Sequence, residues 1–99
     1  MAFSTPYIEA ITLLSNASAT GSAFTVKGGT YVFAGEGTFS GGTLTLQVAC
    51  ANGTFVNFPS VSLTANGFVV CQLPANCSVK AALTGGTPSA MYATVTAVP

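Results

Sequence analysis

The residues of this chain that could carry acid–base chemistry are few. Its 99 residues include four charged side chains, Glu9, Lys27, Glu36 and Lys80, and no histidine. Glu9 and Glu36 form the single pair of carboxyl groups that a glycosidase could use, but neither lies in a recognisable motif. The run Gly35-Glu36-Gly37 lacks the lysine and the following helix of a phosphate-binding loop. Because a histidine base is also missing, we expect no enzymatic activity and no cofactor.

Three cysteines, Cys50, Cys71 and Cys77, are the remaining residues with reactive side chains. Their spacings match no zinc-binding pattern, so we predict no metal site. An odd number of cysteines in a reducing compartment favours free, buried thiols. A disulfide between Cys71 and Cys77 is the alternative, because these residues flank the turn Pro74-Ala75-Asn76 and could face each other across a hairpin.

The shortage of charge limits the possible partners. Charged residues make up 4% of the chain, whereas an average soluble domain has about 25%. A nucleic-acid partner is not expected, because phosphate binding needs a basic surface. No apolar run is long enough to span a membrane, and the first residues lack the basic and apolar regions of a signal peptide. We expect a chain that folds in a cytoplasm and associates readily, since little charge opposes contact between molecules.

The elements that would position these residues are predicted to be strands. β-Branched and aromatic residues recur in short runs between Gly, Pro and Asn turns, which is typical of an all-β protein. Thr43–Cys50 alternates apolar and polar residues and predicts a strand with one buried face. The run Thr30–Glu36 is apolar on both faces and predicts a central strand that is covered on both sides. The dipeptides Asn52-Gly53 and Asn66-Gly67 each predict a turn between paired strands.

We therefore predict a single-domain antiparallel β-sandwich, either jelly-roll or Ig-like, with about seven or eight short strands. Residues 23–99 are predicted to form the sandwich. Residues 1–22 are predicted to form an N-terminal arm or irregular segment, with a possible first strand at Glu9–Leu14.

A series of turn and strand motifs between residues 25 and 98 carries a resemblance to a known family. These motifs are Lys27–Phe33, Gly37–Phe39, Gly42–Gln47, Asn52–Val56, Leu63–Gly67, Leu73–Ala75 and Val79–Ser89. The chain resembles the small structural proteins of tailed bacteriophages that decorate or cement the capsid.

The resemblance implies a non-enzymatic virion protein that is made in the host cytoplasm and binds the outside of the capsid. Its implied partners are the major capsid protein and its own copies, as a trimer or a dimer. The family has no catalytic residues that could be carried over to this sequence.

The N-terminal segment is the hypothetical contact with a neighbouring subunit. Its apolar residues Phe3, Tyr7, Ile8 and Leu13 are the candidate contacts with the capsid or with a neighbouring copy. We expect the segment to become ordered on binding. On this hypothesis, deletion of residues 1–15 should abolish capsid attachment and leave the β-domain folded.

Two other functions are compatible with the same sequence. The chain could be a tail, neck or fibre component of the virion. It could also be a carbohydrate- or ice-binding β module that uses outward threonines or exposed aromatic rings. The residues considered for such a surface are Thr43, Thr45, Thr94, Thr96, Phe39, Phe55 and Phe58.

Overall fold

The computed structural model of the protein describes residues 10–49 and 53–98. Within these ranges the chain forms strands and no helix. The strands are β1 (Ala10–Ala17), β2 (Phe24–Thr25), β3 (Gly29–Thr38), β4 (Thr43–Ala49), β5 (Val56–Leu63), β6 (Gly67–Leu73), β7 (Ser78–Thr84) and β8 (Ser89–Ala97).

The strands form two four-stranded sheets in which all neighbours are antiparallel. Sheet A has the order β1-β8-β3-β6 and sheet B the order β2-β7-β4-β5. The pairing is nested: β1 pairs with β8, β2 with β7, β3 with β6 and β4 with β5. This is the arrangement of one long hairpin rolled into two sheets, which defines a jelly roll. The predicted antiparallel sandwich is confirmed, and the strand order selects jelly-roll over Ig-like.

The core lies between the inner faces of the two sheets. Phe33 and Val95 from sheet A and Leu44 and Leu46 from sheet B are fully buried. The alternation predicted for Thr43–Cys50 is observed from Thr43 to Gln47, where the two leucines point inward, but it ends there because Val48 is half-buried and Ala49 is buried; Cys50 lies outside the described residues. This burial follows from the two-residue period of a strand, which sends alternate side chains to opposite faces.

Strand β3 is central in sheet A, as its composition predicted, but only one of its faces is covered. Tyr31 and Phe33 point into the core, whereas Val32 and Ala34 lie on the outer face and are half-buried. The two sheets are the only layers in the part of the chain that the structure describes. Among the residues that the structure describes, the prediction of a strand covered on both sides is therefore wrong, and an apolar surface remains on the outside.

The predicted strand pairings are partly correct. β4 and β5 pair as the Asn52-Gly53 turn predicted, and β5 continues through Pro59, a residue that within sheets is confined to edge strands and bulges. A register shift between Thr45 and Gln47 accommodates this continuation. The pairing predicted around Asn66-Gly67 is wrong, because β5 belongs to sheet B and β6 to sheet A. In a jelly roll this connection crosses from one sheet to the other.

The N-terminal region is part of the sandwich from Ala10 onward. β1 forms one edge of sheet A, and Leu13 and Leu14 are 4% and 3% exposed. The interpretation of Leu13 as a docking residue is therefore corrected, because its side chain is in the core. The possible first strand predicted at Glu9–Leu14 within residues 1–22 is observed from Ala10 onward as β1.

The other three candidate contacts, Phe3, Tyr7 and Ile8, lie outside the described residues. Deletion of residues 1–15 would remove most of β1 together with two buried leucines, so it could not test the arm without disturbing the fold.

Replacement of Leu13 by alanine tests this placement. We expect Leu13→Ala to lower the free energy of unfolding by about 2–5 kcal/mol, because it leaves a cavity in the core. The matched control is Ser15→Ala on the same strand, where the side chain is exposed and the expected change is within about 0.5 kcal/mol. Urea denaturation followed by fluorescence or circular dichroism measures both. Equal stability of the two variants would contradict a core position for Leu13.

Candidate functional site

The outer face of sheet A carries a band of apolar side chains from three neighbouring strands. We call the band formed by Val32, Ala34, Phe68, Val70 and Tyr92 the apolar face. Val70 is the partner of Val32, and Phe68 is the partner of Ala34. Tyr92 lies one strand further along, opposite Glu36. Since register partners in an antiparallel pair share a face, these side chains form one contiguous surface.

Three side chains of the apolar face are exposed to water. Phe68 is 70% exposed, Val70 59% and Tyr92 42%. Glu36 is the single charged residue on the described strands of sheet A. Apolar side chains that are scattered over a surface need no explanation, but a contiguous group with one charged neighbour, Glu36, is typical of a binding surface.

The outer face of sheet B differs from the apolar face. Its side chains bond to one another: Gln47 Nε2 donates to Asn57 Oδ1 at 2.8 Å, and the hydroxyls of Thr45 and Ser62 are 3.2 Å apart. Lys80 Nζ lies 4.3 Å from the centre of the Phe55 ring, which is a cation–π contact. The two outer faces of the sandwich are therefore chemically unequal.

A cleft of about 310 Å³ opens at one end of the apolar face. Phe68 and Tyr92 line it from two strands, while Gly35 and Gly67 contribute no side chain. Asn66 lies at its edge, where Gly37 N–H donates a 3.0 Å hydrogen bond to Asn66 Oδ1. This bond fixes the amide group, whose nitrogen supplies two N–H donors. Aromatic rings beside a few polar groups are typical of a small-molecule site.

Of the two carboxylates in the sequence, the structure describes one. Glu36 is exposed at the edge of the cleft, and Glu9 lies outside the residues that the structure describes. Residues 10–49 and 53–98 hold no cluster of three or more His, Cys, Asp or Glu side chains that could bind a metal.

The cysteines differ from the prediction of three free thiols. Cys71 is free and buried, but Cys77 is in a disulfide. The Cys71–Cys77 disulfide, the alternative that the sequence left open, is therefore absent. Its geometric premise is also wrong, since Cys71 is on β6 of sheet A and Cys77 immediately precedes β7 of sheet B. Cys50 lies outside the described residues.

Most of the aromatic and threonine residues that the sequence suggested for ligand binding are buried, half-buried or in contact with other side chains of the protein. Phe39 is buried, Phe58 packs against the core, and Phe55 stacks with Lys80. Thr94 and Thr96 lie on the outer face of sheet A and are half-buried. Sequence reasoning missed Phe68, Val70 and Tyr92. The available signal was the two-sided apolar pattern of β3, which indicated that both faces of its sheet would be apolar.

Comparisons with known proteins give no relative. No family model matches the chain, and neither the curated proteins nor the solved structures contain a significant match. In the described part of the chain, no helix is long and apolar enough to cross a membrane. The function is therefore inferred from the fold and the surface of this chain.

Thiol labelling tests the assignment of the cysteines. Burial raises the pKa of the Cys71 thiol above its ordinary value of 9.0, which lowers the fraction of reactive thiolate at pH 8. Without reductant, we expect iodoacetamide to modify Cys71 at least about tenfold more slowly in the folded protein than in urea. Cys77 should remain unmodified in both states until a reductant is added, because its sulfur is in a disulfide.

Mass spectrometry can locate the label in this experiment. Lys27 and Lys80 are the only trypsin sites, so all three cysteines fall on one tryptic peptide and the modified positions must be assigned by fragmentation. Modification of Cys77 before reduction would contradict the disulfide.

Proposed function

We propose that this chain is a non-enzymatic structural protein of a virion that binds the outside of a phage capsid and cements or decorates it as an oligomer. The observation that carries the proposal is the apolar face of sheet A. It is a broad, nearly uncharged surface on a small jelly roll, and its opposite surface is polar.

The apolar face has the composition expected of a contact surface. Burial of the exposed parts of Phe68, Val70 and Tyr92 removes apolar area from water, which stabilises an interface by about 25 cal/mol per Å². Aromatic residues are enriched in the cores of protein interfaces, and charged residues are depleted there. The molecule measures 52 × 32 × 20 Å, so its broad face can supply the roughly 800 Å² per partner of a standard interface.

The polar outer face of sheet B supports an orientation. Its hydrogen-bonded side chains, such as the Gln47–Asn57 pair, and its Lys80 head group are compatible with water. We therefore place sheet A against the capsid and sheet B toward solvent. The candidate contacts Phe3, Tyr7 and Ile8 would add to this interface, and their role stays a prediction.

The fold is compatible with this function. Jelly rolls occur in viral capsid proteins, in lectin domains and in cupins. Because one fold hosts many unrelated functions, the surface of this chain decides among them. For this chain, the surface favours protein contact, and the small catalytic inventory argues against enzymology.

Copy number in purified particles tests the proposal. Quantitative mass spectrometry should give a ratio of this chain to the major capsid protein near one, or a simple fraction such as one third. A trace ratio would instead indicate a tail, neck or fibre component, and absence from particles would overturn the virion assignment.

Two matched variants test the docking surface. We expect Tyr92→Lys to lower the occupancy on particles at least about tenfold, because a buried, unpaired ammonium group is costly. Val56→Lys, on β5 of sheet B, should keep wild-type occupancy because Val56 is already 63% exposed and lies away from the apolar face. Equal occupancy of both variants would contradict docking through sheet A.

A second candidate function, carbohydrate binding, is favoured by the cleft. Phe68 and Tyr92 provide aromatic surfaces, while Asn66, Thr94 and Glu36 provide hydrogen-bonding groups. Such a combination suits the apolar and hydroxylated faces of a sugar ring. The carboxylate of Glu36 would disfavour acidic sugars, so neutral or amino sugars are the expected class.

A panel of immobilised neutral, amino and acidic oligosaccharides tests this second function with the isolated protein. Binding should be restricted to neutral or amino sugars and should be lost in Tyr92→Ala. Val56→Ala is the control and should bind like the wild type. Absence of binding to the whole panel would argue against a carbohydrate site and leave the structural function.

A further inference from the structure

The two sheets have four edge strands, and three of them carry features that hinder pairing with another chain. β1 has two register shifts against β8, β2 has only two residues, and β5 contains Pro59 and a register shift against β4. Irregular pairing, shortness and proline are the features by which natural proteins protect sheet edges.

β6 is the edge without such protection. Its seven residues, Gly67–Leu73, pair with β3 in unbroken register from end to end. The strand contains no charged residue and no proline. In the described ranges its backbone bonds to no other strand, and none of the remaining loop and turn backbone bonds involves it. The outer edge of β6 therefore presents a row of backbone donors and acceptors.

We propose that β6 pairs antiparallel with β6 of a second copy of this chain about a two-fold axis, so that two copies of sheet A form one continuous eight-stranded sheet. A strand can pair antiparallel with its own copy, because residue i then contacts residue j and residue j contacts residue i. The pairing would satisfy backbone groups on both copies in a single step.

The side chains of β6 favour a second copy over a charged partner. Like charges that face each other across a strand pair are destabilising, and β6 has none that could oppose self-pairing. Phe68 and Val70 lie on the same face and are 70% and 59% exposed. In the antiparallel pair, these residues from both copies would lie on one side of the sheet and cover each other from water.

This inference deepens the proposed function. It rests only on the proposal that the chain associates with its own copies, and it does not depend on capsid binding. The pairing is a property of the isolated protein, whereas capsid binding is measured on particles. Failure of one can therefore be distinguished from failure of the other.

The experiment measures the mass of the full chain in solution by sedimentation equilibrium over a range of concentrations. The wild type should form a dimer and stop there, because a pair of identical edges is closed at two copies. A monomer at all concentrations would overturn the proposal. A trimer would overturn it as well, since three copies require a head-to-tail contact.

Three lysine substitutions distinguish the edge from other surfaces. Val70→Lys should weaken dimerisation at least about tenfold, because it places like charges near each other across the new strand pair. Val56→Lys is the matched control: Val56 is also an exposed valine on an edge strand, at 63% against 59%, but on the protected edge of sheet B. Tyr92 is the β8 residue of the apolar face and lies two strands from the β6 edge. The Tyr92→Lys variant should therefore also remain dimeric.

Two results would contradict edge pairing in this series. If Tyr92→Lys dissociated the dimer and Val70→Lys did not, the contact would be through the face of sheet A. If Val56→Lys dissociated it, the contact would be through sheet B. Circular dichroism of each variant confirms that the fold is retained, as we expect because all three side chains are already in contact with water.

Hydrogen exchange provides a test without any substitution. Amide hydrogens of β6 that point away from β3 should exchange more slowly at concentrations that favour the dimer than after dilution. Amides of β5 should show no such dependence. Exchange of β6 that is independent of concentration would overturn the pairing.

Discussion

The structure depends on backbone hydrogen bonds between strands that are far apart in the sequence. β8 lies between β1 and β3 in sheet A, and β7 lies between β2 and β4 in sheet B. The last two strands thus hold the first four in place, and each sheet is complete only when the two ends of the chain meet. Because such pairings close long loops before they gain contacts, a fold of this kind is expected to form slowly.

Charge contributes little to this arrangement. With two acidic and two basic residues in the whole chain, ion pairs cannot define the register of eight strands. The alternation of side chains does so instead, because a shift by one residue would move Leu44 and Leu46 from the core to the outer face of sheet B. The same alternation decides what the outer faces present. On β4 it places Thr45 and Gln47 outside, whereas on β3 it places Val32 and Ala34 there.

The sequence predicted the strand content, the sandwich and the inward residues of β4, because these depend on the local two-residue period. Of the strand pairings, it predicted β4 with β5 correctly and the pairing around Asn66-Gly67 wrongly. The turns at Asn52-Gly53 and Asn66-Gly67 look alike in sequence, yet the first connects paired strands and the second connects the two sheets. Which strands pair depends on the neighbours that each strand has in the complete fold. Leu13 was misassigned for the same reason: its burial requires β8, which lies about 80 residues later.

The sequence correctly indicated that both faces of β3 are apolar, but the conclusion that both faces are covered did not follow from it. A strand that is apolar on both faces needs a cover on both faces, and two packed sheets provide only one. Within the described chain the second cover is missing, which leaves Phe68, Val70 and Tyr92 beside Val32 and Ala34 in contact with water.

Edge pairing and face docking are compatible with each other, because a two-fold axis between antiparallel strands is perpendicular to the sheet. Such an axis leaves the apolar faces of both copies on the same side, where they form one larger surface. Self-association through β6 would therefore double the area available to a partner and leave the polar face of sheet B outside.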